Sequence, residues 1–418
     1  MDMNRLEKRL EPVMELLGEQ KGRMFKQCFL NTLETTVRET EDDTFVITGD
    51  IPAMWLRDST CQVLPCLRFC DLPDMAALLA GVLRRQLRCV ALDPYANAFN
   101  ETANGRHWTQ DKPEPSPWVW ERKYEIDSLC YPILLAARLR DAGAALPESE
   151  LHAALQTIVS LWEREQRHEE ASDYRFERFD CPPSDTLTRE GLGAPTAPTG
   201  MTWSGFRPSD DACVYGYLVP SNLFAARMLA EVAAFAASWG DAALKERAQT
   251  LRGQILDGVE RYALVDDPEF GEIYCYEADG LGHQLLMDDA NVPSLLALPF
   301  LGVCEPDDPR YLRTRAFVLS RRNPYFYQGT QAEGVGSPHT PAGYVWPISL
   351  CVQAMTSRDN DEAARCVAML LCTHSGTEFM HESFHPDAPE QFTRPWFAWA
   401  NAMFGELLYR LYEQGRLA

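Results

Sequence analysis

Apolar residues recur at helical spacing in long segments that follow one another in pairs along this chain. After an amphipathic segment near the N-terminus, the predicted helices cover residues 21–38, 73–92, 126–141, 148–168, 220–239, 241–263, 309–321, 348–356, 359–374 and 399–414. Strand signals are few and short, the clearest being residues 44–48 and a hairpin after residue 272, which another capped helix could follow with the DDAN run (Asp288, Asp289, Asn291) at its start. Asp58 or Ser59 could cap a helix after Arg57, and Asp241 is predicted to cap the helix over residues 241–263. Paired helices without alternating strands predict an all-α fold, a ring of helical hairpins whose inner helices end at a shared pit.

No Ser-rich or charged linker interrupts this pattern, so residues 1–418 are predicted to form one domain. One long segment without periodicity, residues 94–125, mixes amides such as Asn97 with indoles such as Trp108. Long structureless loops in compact proteins are often functional. Amides bond hydroxyl groups and indole rings cover the apolar face of a sugar, so this loop suits a polyhydroxylated ligand, unless it is only a surface connection.

The charge balance restricts the partners that this protein can have. Lys plus Arg total 39 against 61 Asp plus Glu, a formal net charge of -22, which argues against nucleic acid or an anionic membrane as a partner. No stretch has the length and apolar character of a membrane span or a signal peptide. The 13 cysteines are scattered and include no CxxC pair, which predicts reduced core residues in a cytoplasmic protein.

Two adjacent acids, Asp210 and Asp211, lie in a segment rich in aromatic residues, MTWSGFRPSDDACVYGYL. Pro208 and Ser209 predict the start of a helix, where negative charge is favoured. Aromatic walls can keep one carboxyl of a crowded pair protonated, as a general acid requires. The alternative is an ordinary N-terminal capping pattern with no catalytic role.

The sequence HESFH matches the HExxH pattern of zinc peptidases at His381, Glu382 and His385. Pro386 disfavours helical geometry at His385, however, and the zinc site needs both histidines on one regular helix. Glu382 then has another possible role, as an ionised carboxylate that activates a water molecule. Its structural alternative is an ion pair with Arg394.

Several longer motifs occur in the same order as in one family. They are GDIPAMWLRDST, SGFRPSDDAC, MDDANVPSLL, GYVWP and HESFHPD followed by FTRPWFAWANAMFGEL. Together, from about residue 20 to 410, they resemble the glycoside hydrolase family 125 exo-α-1,6-mannosidases. The resemblance implies an (α/α)6 barrel with short β-hairpins in its loops. It also implies removal of non-reducing terminal α-1,6-linked mannose with inversion of configuration, without a metal or other cofactor.

The resemblance also implies roles for particular residues. The general acid lies within the pair Asp210 and Asp211, with Asp210 preferred, and the general base is Glu382. The residues expected near the sugar are Trp55, Arg57, Asp58, Trp108, Arg207, Asp288, Asn291, His339, Trp346 and His381. The substrates would be α-1,6-linked mannosides from N-glycans or mannan. A non-catalytic glycan-binding protein on the same scaffold is the main alternative, and a zinc peptidase is a weaker one.

Overall fold

The computed structural model describes residues 3–417 and is mainly helical in that range. Its α-helices are α1 Met3–Leu17, α2 Glu19–Thr35, α3 Leu56–Val63, α4 Pro73–Leu92, α5 Ile126–Asp141, α6 Glu148–Glu165, α7 His168–Ala171, α8 Thr188–Gly191, α9 Val219–Trp239, α10 Ala242–Tyr262, α11 Pro309–Val318, α12 Pro347–Thr356, α13 Asn360–Cys372 and α14 Ala398–Glu413. Two 3-10 helices cover Leu64–Phe69 and Pro183–Asp185. The helices therefore follow the predicted segments closely.

The strands are short, and all of their pairings are antiparallel. They are β1 Val37–Glu39, β2 Thr44–Val46, β3 Met54–Trp55, β4 Ala98–Phe99, β5 Asp111–Lys112, β6 Val119–Glu121, β7 Glu177–Arg178, β8 Tyr217–Leu218, β9 Leu264–Asp267, β10 Gly271–Tyr274, β11 Glu277–Ala278, β12 Gln284–Leu285, β13 Phe326–Gln328, β14 Glu333–Val335, β15 Ser383–His385 and β16 Ala388–Thr393. Two sheets have three strands, β3-β4-β6 and β8-β11-β12, and the others are two-stranded. Each sheet belongs to the loops that connect the helices.

The helices form two concentric layers. In the inner layer α14 packs on α3, α3 on α5 and α5 on α9, and α12 packs on α14 from the other side. In the outer layer α2, α4, α10 and α13 cover α14, α5, α9 and α12 respectively. The inner helices α9 and α12 are apolar nearly all round, as is typical of helices between two layers, and α12 and α14 are buried along most of their length. The prediction of an (α/α)6 barrel with short hairpins in its loops is confirmed.

One predicted helix is absent at the inner position between α9 and α12. The prediction that Asp288 caps a helix is wrong: residues 291–303 form successive turns instead. Asp288 does accept hydrogen bonds from the main-chain amides of Leu295, at 2.8 Å, and Leu296, at 2.9 Å. Pro299 disfavours a regular helix here, because it lacks an amide hydrogen and its ring crowds the preceding turn.

Two predicted helix starts are also wrong. Residues 207–210 form a turn, in which the Asp210 amide donates to the Arg207 carbonyl at 2.9 Å, and the next long helix begins only at Val219. Asp210 has a φ of 69°, a left-handed conformation that a helix start at Ser209 does not allow. Asp58 lies inside the first turn of α3 and does not cap it. The predicted aspartate cap of α10 is confirmed, because Asp241 accepts from the Leu244 amide at 3.0 Å.

Two further features bear on the environment of the protein. All 13 cysteines are unpaired. Among residues 3–417, none of the helices combines the length and the apolar character that crossing a bilayer requires.

Candidate active site

A cavity of about 470 Å³ opens where the N-terminal ends of several inner helices converge. Trp55 and Arg57 come from the start of α3, Trp346 from the residue before α12, and Trp399 from the first turn of α14. Helix N-termini favour negative charge through their free amides and the helix dipole. The pit therefore combines aromatic walls with an environment that suits carboxylates.

Most of the predicted site residues line this cavity, although they come from distant parts of the chain. They are Trp55, Arg57, Asp58, Trp108, Asp210, Asn291, His339, Trp346 and Glu382. Trp108 lies at the rim, 60% exposed and edge-on to Trp120 with ring centroids 5.6 Å apart. The cavity thus brings together the two carboxyls that the sequence paired as acid and base.

The other predicted residues, Arg207, Asp211, Asp288 and His381, do not line the cavity. The Arg207 Nε lies 2.6 Å from Glu277 Oε1 in a buried ion pair, because the 207–210 turn directs Arg207 into the core. Asp288 is occupied by the amides of the turns that follow it. Both are buried and hold the loops behind the cavity wall.

His381 and Asp211 are likewise bound to other protein groups. The ring nitrogens of His381 lie 3.1 Å and 3.3 Å from the carbonyl oxygens of Arg394 and His374, and its ring stacks on Phe392 at 3.8 Å. Asp211 is buried, with its Oδ1 3.3 Å from His339 Nδ1. His381 therefore contributes to packing, whereas Asp211 supports His339 from behind.

The side chain of Asp210 is 26% exposed and faces polar groups of three segments. Its Oδ1 lies 3.4 Å from Arg57 Nη2 and 3.4 Å from Asn97 Nδ2, and its main-chain oxygen accepts from Lys123 Nζ at 2.7 Å. Burial raises the pKa of Asp210, but the charges of Arg57 and Lys123 and a hydrogen bond with Glu125 outweigh it and hold that pKa below its usual range. The expectation that aromatic walls keep one carboxyl of the Asp210 and Asp211 pair protonated is therefore not met at Asp210.

Arg57 is the central cation of this wall, and four carboxyls face its guanidinium. The nearest nitrogen-to-oxygen distances are 2.6 Å to Glu125, 3.2 Å to Asp127, 3.4 Å to Asp210 and 3.5 Å to Asp58. Burial raises the pKa of Asp58 to about 6, although Arg57 opposes the shift. Burial also raises the pKa of Glu125 and of Asp127, although Arg57 lowers both.

Glu382 also lines the cavity, beside Arg394. Arg394 Nη1 is 3.3 Å from Glu382 Oε1, and the same guanidinium pairs with Asp50 and lies 4.4 Å from the centroid of the Phe397 ring. The ion pair that the sequence offered as a structural alternative is thus present. Because Glu382 also lines the cavity, the pair holds an ionised carboxylate at the cavity surface.

His339 lies within reach of the charges of both proposed catalytic carboxyls. Burial lowers the pKa of His339, but the hydrogen bond and charge of Asp211, together with the charges of Asp210 and Glu382, raise it to about 9. A cationic imidazole at the cavity surface can donate to a bound hydroxyl group while Asp211 fixes its ring.

A further wall consists of charged residues that the sequence analysis did not single out. Arg178 forms ion pairs with Asp111 at 2.7 Å, Glu121 at 2.9 Å and Asp185 at 3.0 Å, and Lys123 pairs with Asp185. Four of these residues line the cavity: Glu121, Lys123, Arg178 and Asp185. The run of charges in WERKYEID, next to the aromatic residues of this loop, is the signal that could have drawn attention to Glu121, Lys123 and Glu125.

The HESFH segment does not form the helix that a zinc peptidase needs. Ser383–His385 is strand β15, and both ring nitrogens of His381 face main-chain carbonyls. Within the described range 3–417, no three His, Cys, Asp or Glu side chains are arranged to hold a metal ion. The geometry that the zinc-peptidase alternative required is therefore missing.

The chain matches a family model described as metal-independent alpha-mannosidase (GH125) over residues 19–409. The Meiotically up-regulated gene 157 protein of Schizosaccharomyces pombe is 38% identical to it, with the match covering 98% of this chain and 86% of the yeast protein. A metal-independent α-mannosidase of Streptococcus pneumoniae, solved in a non-productive complex with α-1,6-mannobiose, is 43% identical. It superposes with a TM-score of 0.95 over 98% of each chain.

A more distant similarity concerns the fold alone. A bacterial glucoamylase solved with acarbose is 15% identical, with a TM-score of 0.52 over 86% of this chain and 49% of that one. The family model and the close relatives each cover most of the chain, whereas the glucoamylase shares only the helical barrel. On this basis the chain belongs to glycoside hydrolase family 125, the metal-independent α-mannosidases.

Proposed function

We propose that this enzyme removes terminal α-1,6-linked mannose with inversion of configuration, using Asp210 as general acid and Glu382 as general base. The observation that carries the proposal is that these two carboxyls, far apart in the sequence, line the same aromatic cavity. Asp210 would protonate the departing glycosidic oxygen. Glu382 would take a proton from the water that attacks the anomeric carbon from the other face.

The surroundings of the two adjacent acids favour Asp210 over Asp211 as the acid. Asp210 lines the cavity and keeps part of its side chain exposed, whereas Asp211 is buried behind His339 and does not line it. A general acid must come within hydrogen-bonding reach of the leaving oxygen, and only Asp210 has that access.

The linkage preference rests on the close relative and on the shape of the site. The Streptococcus pneumoniae enzyme was solved with α-1,6-mannobiose, and it shares 43% identity over nearly the whole chain. A cavity that reaches the first turns of α3 and α14, at Arg57, Asp58 and Trp399, suits the end of a glycan chain better than its middle. We therefore propose exo-acting hydrolysis of α-1,6-linked mannosides from N-glycans or mannan.

Substitution of the two carboxyls tests the catalytic assignment. We expect Asp210→Asn and Glu382→Gln each to keep the thermal midpoint of the wild type but to lose most release of mannose from α-1,6-mannobiose. Asp211→Asn is the matched control for Asp210→Asn, and it should retain more activity because Asp211 acts only through His339. Near-normal turnover in both Asp210→Asn and Glu382→Gln would overturn the assignment.

The stereochemical outcome and the linkage need separate measurements. Proton NMR at early times should detect β-mannose as the first product, because direct attack by water inverts an α-linkage. α-1,6-Mannobiose should be hydrolysed faster than the α-1,2- and α-1,3-linked isomers. Initial release of α-mannose, or faster cleavage of another linkage, would contradict the proposal.

Two further proposals concern the chain as a whole. We propose that it forms one catalytic domain, which the large buried core shared by the helices of both layers supports. We also propose a cytoplasmic location, which the 13 unpaired cysteines support. Cell fractionation tests the location, and limited proteolysis that releases no stable fragment would agree with one domain.

The non-catalytic alternative considered from the sequence does not fit a family of hydrolases.

A further inference from the structure

Glu125 is a buried carboxyl beside the proposed acid, and the mechanism above gives it no role. Its side chain is fully inaccessible to solvent, directly before α5. Arg57 Nη1 donates to its Oε2 at 2.6 Å and Ser128 Oγ donates at 2.8 Å. These contacts hold Glu125 in one orientation. They also offset part of the large free-energy cost of burying a carboxyl.

Glu125 and Asp210 share their hydrogen-bond donors. Asn97 Nδ2 lies 3.3 Å from Glu125 Oε1 and 3.4 Å from Asp210 Oδ1, and the two terminal nitrogens of Arg57 each face one of the two carboxyls. The carboxyls are also within hydrogen-bonding reach of each other. Two carboxyls in such contact form a hydrogen bond only when one of them carries a proton.

The other charges around this pair do not remove the need for that proton. Arg57 and Asp58 face it from α3, Asp127 from α5, Glu121 and Lys123 from the segment before α5, and His339 from the loop before α12. Burial, supported by the charges of Asp210 and Asp127, raises the pKa of Glu125 well above its usual range although Arg57 lowers it. The pKa of Asp210 is shifted in the opposite direction. The two carboxyls therefore titrate as a pair that shares one proton, and the opposite directions of their pKa shifts favour Glu125 as its holder.

We propose that Glu125 is a positioning residue that stores this proton and returns it to Asp210 for protonation of the leaving oxygen. The inference rests on the proposed function of Asp210 as general acid. It explains how an aspartate beside two cations can act as an acid at neutral pH: the proton is held by its neighbour and not by Asp210 itself.

In the proposed reaction, one proton passes from Glu125 to Asp210 and then to the leaving group. The Glu125 carboxylic acid passes its proton to the Asp210 carboxylate, and Arg57 stabilises the Glu125 carboxylate that results. Asp210 then gives the proton to the glycosidic oxygen as the bond to the anomeric carbon breaks. Water forms the new bond to that carbon and loses a proton to Glu382. Release of that proton to solvent and return of one proton to the Glu125 and Asp210 pair restore the free enzyme.

Glu125→Gln tests the inference when activity is measured on two substrates. α-1,6-Mannobiose has a leaving group that needs protonation, whereas the dinitrophenolate of 2,4-dinitrophenyl α-mannoside does not. The glutamine amide can donate to Asp210 but cannot supply a proton, so we expect kcat for mannobiose at pH 7 to fall about tenfold or more. The kcat for the activated mannoside should stay within about threefold of the wild type, because protonation contributes little to that reaction.

The pH profile provides the readout that a merely structural role would not change. For mannobiose, the basic limb of kcat should move to lower pH by about one unit or more in Glu125→Gln. In Glu125→Asp, which keeps a carboxyl, the basic limb of kcat should stay close to its wild-type pH. Asp127→Asn is the matched control, because Asp127 is equally buried against Arg57 but forms no hydrogen bond with Asp210, and its basic limb should stay in place. Equal losses on both substrates, or an unchanged limb in Glu125→Gln, would overturn the inference.

The result remains distinguishable from a failure of the proposed function. If Asp210→Asn retains mannobiose turnover, the acid assignment fails whatever Glu125→Gln does, whereas an inactive Asp210→Asn with an unchanged Glu125→Gln overturns only the proton store. If Glu125→Gln does not fold, infrared spectroscopy of wild-type enzyme with ¹³C-labelled glutamate measures the same proton. A protonated glutamate carbonyl band is expected at pH 7, and its absence would refute the inference.

Discussion

Lys123 donates from its Nζ to the main-chain oxygen of Asp210 at 2.7 Å, and so holds the backbone of the residue that we propose as general acid. Asp210 has a φ of 69°, a left-handed conformation that is unfavourable for most residues other than glycine. Such a conformation persists only when neighbouring groups hold it in place. Lys123 is itself buried and paired with Asp185, so the orientation of Asp210 depends on a rigid charged cluster.

The first prediction concerns this contact. Lys123→Met removes the donor and leaves Arg178 as the remaining cation beside Asp185 and Glu121, so we expect the free energy of unfolding to fall by about 1–3 kcal/mol and kcat to fall as well. Thermal unfolding and mannobiose kinetics measure the two effects. Lys112→Met is the control, because Lys112 is mostly exposed in its pair with Glu177 and should cost less than about 1 kcal/mol. Equal losses of unfolding free energy and of kcat in the two variants would contradict the prediction.

The second prediction concerns Arg394, the cation beside Glu382. Arg394→Met should reduce kcat for mannobiose by about tenfold or more, because the proposed base loses both its positive neighbour and its fixed orientation. Arg9→Met is the control, because it breaks an exposed ion pair with Asp71 away from the cavity, so its effect should be small. The two variants should therefore separate in steady-state kinetics. If Arg394→Met stays within about twofold of the wild type, Glu382 does not depend on this ion pair.

The third prediction is a pH dependence of stability that His339 produces. Its pKa rises from 6.5 to about 9 in the folded protein, because the charges of Asp211, Asp210 and Glu382 outweigh its burial. Because its pKa is higher in the folded than in the unfolded protein, protonated His339 stabilises the fold by its full amount below pH 6.5. This contribution disappears as the pH rises through about 9. Thermal midpoints should therefore separate wild type from His339→Gln at pH 6 and converge near pH 10. The exposed His107→Gln should show no such change, and a constant difference for His339→Gln would refute the prediction.

The fourth prediction concerns metal removal. Exhaustive treatment with a chelator should leave mannose release unchanged, because His381 is bound by two main-chain carbonyls and His385 lies on a strand. His385→Ala should retain activity for the same reason. Activity that is lost on chelation and restored by added zinc would show that the HESFH segment binds a metal after all.

The periodicity of the sequence predicted the helices well because a helix buries residues that are close together in the chain. The predictions failed where local signals were ambiguous. The acids of the DDAN segment precede turns and not a helix, since Pro299 interrupts the pattern. The left-handed conformation of Asp210 could not be predicted, because it depends on Lys123 and other distant groups.

The sequence alone determined the all-α ring, the family resemblance and the identities of Asp210 and Glu382 as candidate carboxyls, because motifs and periodicity are properties of contiguous residues. Only the tertiary structure revealed that Glu125, Asn97, Lys123 and Arg57 surround Asp210, and that Asp211 and His381 lie behind the cavity wall. The protonation of a carboxyl depends on burial and on charges a few ångströms away, and the fold brings those charges from separate helices and loops.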